Sequence, residues 1–319
     1  MPSGLHGQPS GRILEFIRRT CPSMHCFYWL ALFILLPHTA YAGAWTLAKG
    51  HLWGKITGMA QSTNEEYVAV GGAGREPDLN RLYEPGDRAH YRENGHYNSQ
   101  ALFIDLFYGL SDRIDIGIQI PYYRREFENI GFRPANIASG FGDMRGIAKI
   151  NIAQNPVVGT IKFGTKAPTG KFQNQDGIIS AGEGQWDFEL TAQIGRSFWP
   201  FPLYANIDMG YRVRLQNNTT NYDPGDEWFL NSEIGYTPIK KLLLILKLEG
   251  IKGRPSRVLG LKLSSDVRRI TYFAPTLLIG PFQNLSFETS VRITAGGRNF
   301  PAGHIWTAGI SYSGPLSNL

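Results

Sequence analysis

Isoleucine occupies every second position from Ile114 to Ile120, with Asp115, Gly117 and Gln119 between. Side chains on an extended strand point alternately to opposite faces, whereas a helix would scatter these isoleucines around its axis. The stretch reads as a strand with one apolar and one polar face. The same phase recurs along the chain. Phe188, Leu190, Ala192 and Ile194 alternate with Asp187, Glu189, Thr191 and Gln193. Leu203, Ala205, Ile207, Met209, Tyr211 and Val213 oppose Asn206, Asp208, Arg212 and Arg214. Leu285, Phe287, Val291 and Ile293 oppose Glu288, Ser290, Arg292 and Thr294. A soluble antiparallel sheet alternates in this way too, so the connections have to decide.

The pattern places strands near 49–59, 98–109, 113–121, 141–153, 156–167, 185–196, 202–213, 226–237, 241–252, 268–279, 284–295 and 304–313. Long gaps at 60–97, 122–140, 168–184, 214–225, 253–267 and 296–303 alternate with short ones around Ser111-Asp112, Asn155, Pro200, Ile239 and Phe282. A sandwich has no reason to collect its long loops at one end. Bacterial transmembrane barrels do, having even strand numbers, short periplasmic turns and longer outer loops. The expected fold is all-β: an up-and-down antiparallel barrel of about twelve strands. After residue 43 no run of 18 apolar residues appears and mean hydropathy is −0.21, which argues against helical spans.

The first 42 residues have the layout of a secretory leader. Arg18 and Arg19 precede an apolar run from Phe27 to Leu36, and Ala40-Tyr41-Ala42 is a small-x-small cleavage site. Met24 is an alternative start. Cleavage after Ala42 leaves one domain, residues 43–319, with Gly43 first. Both cysteines, Cys21 and Cys26, leave with the leader, as suits an oxidising compartment. Its three arginines and one glutamate also go, so the net charge falls from +6 to about +4. No clustered basic face remains to support nucleic-acid binding.

Aromatic residues gather where apolar strands end. Trp45, Trp53, Tyr108, Tyr122, Tyr123, Phe198, Trp199, Trp228, Tyr236, Tyr272, Phe273, Trp306 and Tyr312 are expected in the interfacial girdles of a barrel.

Gly109-Leu110-Ser111-Asp112-Arg113-Ile114-Asp115-Ile116-Gly117 through Pro121-Tyr122 resembles the outer-membrane family named after the phenol meta-degradation pathway. Gly140-Phe141-Gly142-Asp143, Ala167-Pro168-Thr169-Gly170 and the stretch from Asn299 to Ile310 match it as well. The resemblance covers most of residues 100–313. It implies a passive carrier of hydrophobic or aromatic compounds in the outer membrane. The motifs themselves are turn and strand-end chemistry and name no ligand. Thr307 to Tyr312 resembles the signal read by the barrel-assembly machinery, although the tail Ser313 to Leu319 ends without an aromatic residue.

Chemistry is sparse. A lipid hydrolase of the barrel type would need a serine, a histidine and an orienting group. Only His96-Tyr97-Asn98-Ser99 suggests one, and Ser99 would face away from His96. No histidine or cysteine pair has metal spacing, the segment Asp223 to Asp226 is no calcium loop, and Gly71 to Gly74 is no phosphate loop. No enzyme activity, cofactor or metal is expected.

The polar phase instead supplies an inward wall: Asp105, Asp115, Gln119, Arg145, Lys149, Lys162, Lys166, Asp187, Glu189, Asp208, Arg212, Arg214, Glu233, Lys247, Glu249, Glu288 and Arg292. Phe103 and Phe107 share that phase, and Leu243, Ile245 and Phe273 are expected inward with them. Interleaved signs can pair across strands and narrow a barrel. The expected function is a channel or carrier for small hydrophobic or aromatic molecules, narrowed by these charges and by residues 61–97. The partners are outer-membrane lipid, the barrel-assembly machinery and a small hydrophobic solute. One alternative is a structural or surface-binding barrel with a closed lumen, and another is the lipid hydrolase.

Overall fold

The computed structural model describes residues 43–75, 78–172 and 180–318; the expected leader, with Cys21 and Cys26, lies outside them. Antiparallel pairing runs once around the molecule and returns to its start. The staves are β1 (His51–Thr63), β2 (His96–Ser111), β3 (Ile114–Asn129), β4 (Arg145–Ala153), β5 (Val158–Lys166) and β6 (Asp187–Ser197). They continue with β7 (Leu203–Arg214), β8 (Glu227–Ile239), β9 (Leu242–Gly253), β10 (Arg269–Phe282), β11 (Leu285–Arg298) and β12 (His304–Pro315). Each pairs with its sequence neighbour, and β1 closes the ring on β12, with Thr57 opposite Gly309. The molecule is a closed twelve-stranded antiparallel barrel. Closure leaves no free edge, which a sheet in hydrocarbon cannot tolerate because unpaired backbone groups find no water there.

The outer face is apolar. Leu102, Leu106, Ile116, Ile118, Leu190, Ile194, Ile207, Leu230, Leu246, Phe287 and Ile310 are all exposed on it. Such a face is stable only against lipid, and the protein is accordingly an outer-membrane barrel. Tyr122, Trp199, Trp228, Tyr236 and Trp306 stand exposed near strand ends, as interfacial aromatics do.

Other members of the expected girdle turn inward. Trp45 meets Tyr204 edge-on at 5.8 Å, Trp53 meets Phe107 at 5.7 Å, and Tyr123 meets Phe103 at 5.8 Å. Tyr272 is 7% exposed. Phe273 is a correction in the opposite sense. It lies on the outer face, 41% exposed, because Ile270, Tyr272, Ala274 and Thr276 take the inward positions of β10. Adjacent aromatics leave the phase of a strand ambiguous, and a slip of one residue exchanges the faces.

The long gap expected at 122–140 is largely strand. The outer half of β3 pairs with Phe132–Phe141, Tyr122 standing opposite Phe141, and this hairpin rises above the lipid-facing wall. Arg124, Arg125, Glu126 and Glu128 break the apolar alternation there, so the period-two pattern stops before the strand does.

Candidate functional site

The inward face of the barrel carries the polar phase. Asp105, Asp115, Gln119, Arg145, Lys149, Lys162, Lys166, Asp187, Glu189, Asp208, Arg212, Arg214, Glu233, Lys247, Glu249, Glu288 and Arg292 all occupy its shielded positions, as do Phe103 and Phe107. Leu243 and Ile245 share that phase, with Ile245 4% exposed. The structure then gathers most of these side chains into three groups.

The first group lies at the long-loop end, which faces outward in barrels of this kind. Five cations, Lys162, Lys166, Arg212, Arg214 and Arg268, interlock with five anions, Asp143, Glu183, Asp187, Glu189 and Glu227. Lys166 reaches Asp143 at 3.2 Å and Asp187 at 3.1 Å, and also contacts Glu183. Arg212 bridges Glu189 at 2.9 Å and Glu227 at 2.7 Å. Buried ions are tolerated only when paired and hydrogen-bonded, and here the signs balance.

The sequence reading missed Asp143, Glu183, Glu227 and Arg268. Asp143 sits where the inner wall breaks between Phe141 and Arg145. Its carboxylate accepts from Gly170 N at 3.0 Å and from Glu183 N at 2.8 Å, while Met144 N donates to Thr169 Oγ1 at 2.9 Å. The Gly140 to Asp143 and Ala167 to Gly170 motifs therefore form one clasp, which holds Glu183 at the mouth. Burial opposes the charge on Glu183, but Arg214, Lys166 and Arg268 outweigh it and hold the carboxyl well below its usual range.

The first long loop joins the same mouth. Glu65–Tyr67 pairs with Arg88–His90 and with Phe300–Pro301, and Tyr67 packs on Ile270, Tyr272, Ala302 and Ile305. The Tyr67 hydroxyl donates to Thr294 O at 3.1 Å.

The second group lies at the short-turn end, where residues 43–48 tuck inside. Lys149 Nζ donates to Gly43 O at 2.8 Å and Trp45 O at 2.6 Å. Ala44 N donates to Asn206 Oδ1 at 2.9 Å, Leu47 N to Asp115 Oδ1 at 3.0 Å, and Thr160 Oγ1 to Ala44 O. Gly195 makes this possible: a Cβ there would lie 2.7 Å from the Trp45 ring. Asp115 and Lys149, expected among the lumen-lining residues, hold this segment.

Between the two ends, Lys55 pairs with Glu288 at 2.8 Å, Arg292 pairs with Glu249, and Gln119 Nε2 donates to Asp105 Oδ1 at 2.7 Å. Down the wall formed by β1 to β3 runs an aromatic ladder of Tyr123, Phe103, Phe107 and Trp53. A Cβ on Gly117 would come 2.5 Å from Phe107, so glycine is what lets that ring lie against the wall.

His96 and Ser99 do not meet as a catalytic pair. Ser99 is buried on the inward face, and His96 Nε2 lies 2.9 Å from Ser62 Oγ on β1. Among the described residues no group of three histidine, cysteine or acidic side chains is placed to hold a metal.

The outer membrane channel of the COG4313 group from Pseudomonas putida F1 superimposes with a TM-score of 0.68 at 14% identity, over 88% of this chain and 100% of that one. The β domain of the Bordetella autotransporter BrkA gives 0.47 at 12% identity, over 83% and 100%, and the Ralstonia pickettii toluene transporter TbuX 0.39 at 10%, over 84% and 90%. No curated protein sequence matches. The family described as the putative MetA-pathway of phenol degradation matches residues 89–305, the greater part of the barrel. On that match this outer-membrane barrel belongs to the phenol meta-degradation family.

Proposed function

We propose that the protein is a passive outer-membrane channel for small hydrophobic or aromatic molecules, which diffuse through a lumen narrowed at both ends. The observation that carries the reading is the aromatic ladder from Tyr123 to Trp53, which runs along the lumen on one wall, opposite a charged wall. An aromatic solute gains contact with ring faces and edges at each rung and need not shed its apolar surface into water. Ion pairs opposite satisfy one another, so they present no unpaired charge for it to desolvate. No chemical step is required of any residue, and the channel is not an enzyme in this reading.

Liposome swelling with phenol, a short alkyl alcohol and a sugar of comparable size tests the proposal. Faster influx of phenol, reduced when Phe103 and Phe107 are both replaced by serine, is the expected result. Influx of none of the three into liposomes holding folded barrel would overturn it. That outcome would favour a surface-binding barrel, a reading supported by the seating of residues 43–48 in the inner end.

A further inference from the structure

Among the described residues Arg145 is an inward guanidinium that the ion network leaves out. Arg125 and Lys247 also lack a carboxylate within 4.0 Å, but Arg125 donates to Ser180 O at 2.7 Å and lies over the Tyr123 ring, and Lys247 is an ammonium. It lies on β4 opposite Gln119 of β3 and Lys166 of β5. Glu189 and Glu183 reach it only through longer-range attraction, and Arg212 repels it. Among the described residues no carboxylate lies within 4.0 Å of its guanidinium, while Lys166, Arg212 and Arg214 each have two or more such partners. Gln119 Nε2 donates to Asp105 Oδ1 at 2.7 Å.

The balance of charge sharpens the point. The ten networked groups cancel, five against five, so Arg145 is a net positive charge at their edge. Further along the inward face of β3 from Gln119, which stands opposite Arg145, Tyr123 carries the Arg125 guanidinium 4.2 Å over its ring and meets Phe103 edge-on at the outer rung of the aromatic ladder. A shielded guanidinium without an anion is costly, and a planar fork of donors is matched best by a carboxylate. We infer that Arg145 and the Phe103–Tyr123 pair form a selectivity site for aromatic carboxylates, the guanidinium taking the carboxylate and the two rings the aromatic body. The inference rests on the channel reading and narrows its solute class from aromatic molecules in general to anionic ones.

The test compares benzoate with benzyl alcohol, which is neutral and of similar size, by influx into liposomes holding the full barrel. The unmodified protein is expected to favour benzoate, and Arg145→Gln to lower the benzoate to benzyl alcohol ratio by about tenfold, the value of one charge-assisted hydrogen bond. Lys252→Gln, on the outer face, controls for charge removal and should keep the ratio. Heat-modifiable migration establishes that each variant is folded, and Arg145→Lys separates bidentate recognition from charge alone, with an intermediate ratio expected. Equal influx of both solutes through the unmodified protein, or a ratio untouched by Arg145→Gln, overturns this site while leaving the channel intact. Influx of neither solute overturns the channel reading itself.

Discussion

The two ends of the lumen are crossed by different kinds of bond. At the outer end, ten charged side chains from β5 to β8 and from the connections before β4, β6 and β10 pair with one another, and Asp187 and Glu227 are only 2% and 1% exposed. At the inner end, residues 43–48 are held mainly through their own backbone, by Lys149, Asn206, Asp115 and Thr160. The outer assembly braces the wall, since losing a buried member such as Lys166 would strand Asp143 and Asp187 out of water. The inner segment is a strap. It can leave the lumen without breaking a single strand pairing, and water can replace its hydrogen bonds.

Substitutions at matched positions test that difference. Lys166→Met leaves Asp143, Asp187 and Glu183 facing one another, and removing one partner of a buried pair costs about 3–5 kcal/mol. The temperature at which the folded gel band is lost should fall accordingly. Lys149→Met removes two charge-assisted hydrogen bonds from the strap, together about 3 kcal/mol of seating. Here the band should persist nearly to the original temperature while single-channel recordings show longer open times. If both variants lowered stability equally, the inner segment would be a structural part of the wall.

Acid should also distinguish the ends. Glu183 is held well below its ordinary value of 4.5, so its contribution is complete above that value and is lost only as pH falls through the lowered one. The carboxyl chemical shift of Glu183 in isotope-labelled protein should therefore be constant from neutrality down to the ordinary glutamate range and change only in stronger acid. A transition near 4.5 would show that Glu183 is free. The smallest effect is expected from Thr160→Val, which removes one neutral hydrogen bond to Ala44 O at constant shape, about 1 kcal/mol. It should lengthen openings less than Lys149→Met does.

Alternation along a stave assigns faces, because the face a strand residue occupies is a local property with period two. Loop lengths were enough to give twelve staves and the end at which the long connections lie. Phe273 shows where the local rule fails, since Tyr272 and Phe273 satisfy it in either phase and only packing of Tyr67 on Tyr272 chooses. Glu183 and Asp143 were missed because they lie outside the regular pattern, in a loop and at a break in the wall. Their motifs were visible, yet their joining was not.

The sequence by itself determined that this chain closes into a barrel, with a lipid-facing wall and a polar interior. Only the tertiary structure decided which interior charges cancel, which hold residues 43–48, and that Arg145 has no carboxylate partner among the described residues. Alternation assigns a face to each side chain, but a contact across the lumen depends on closure. Closure brings Ala44 to Asn206, 162 residues away, and Lys55 to Glu288, 233 residues away.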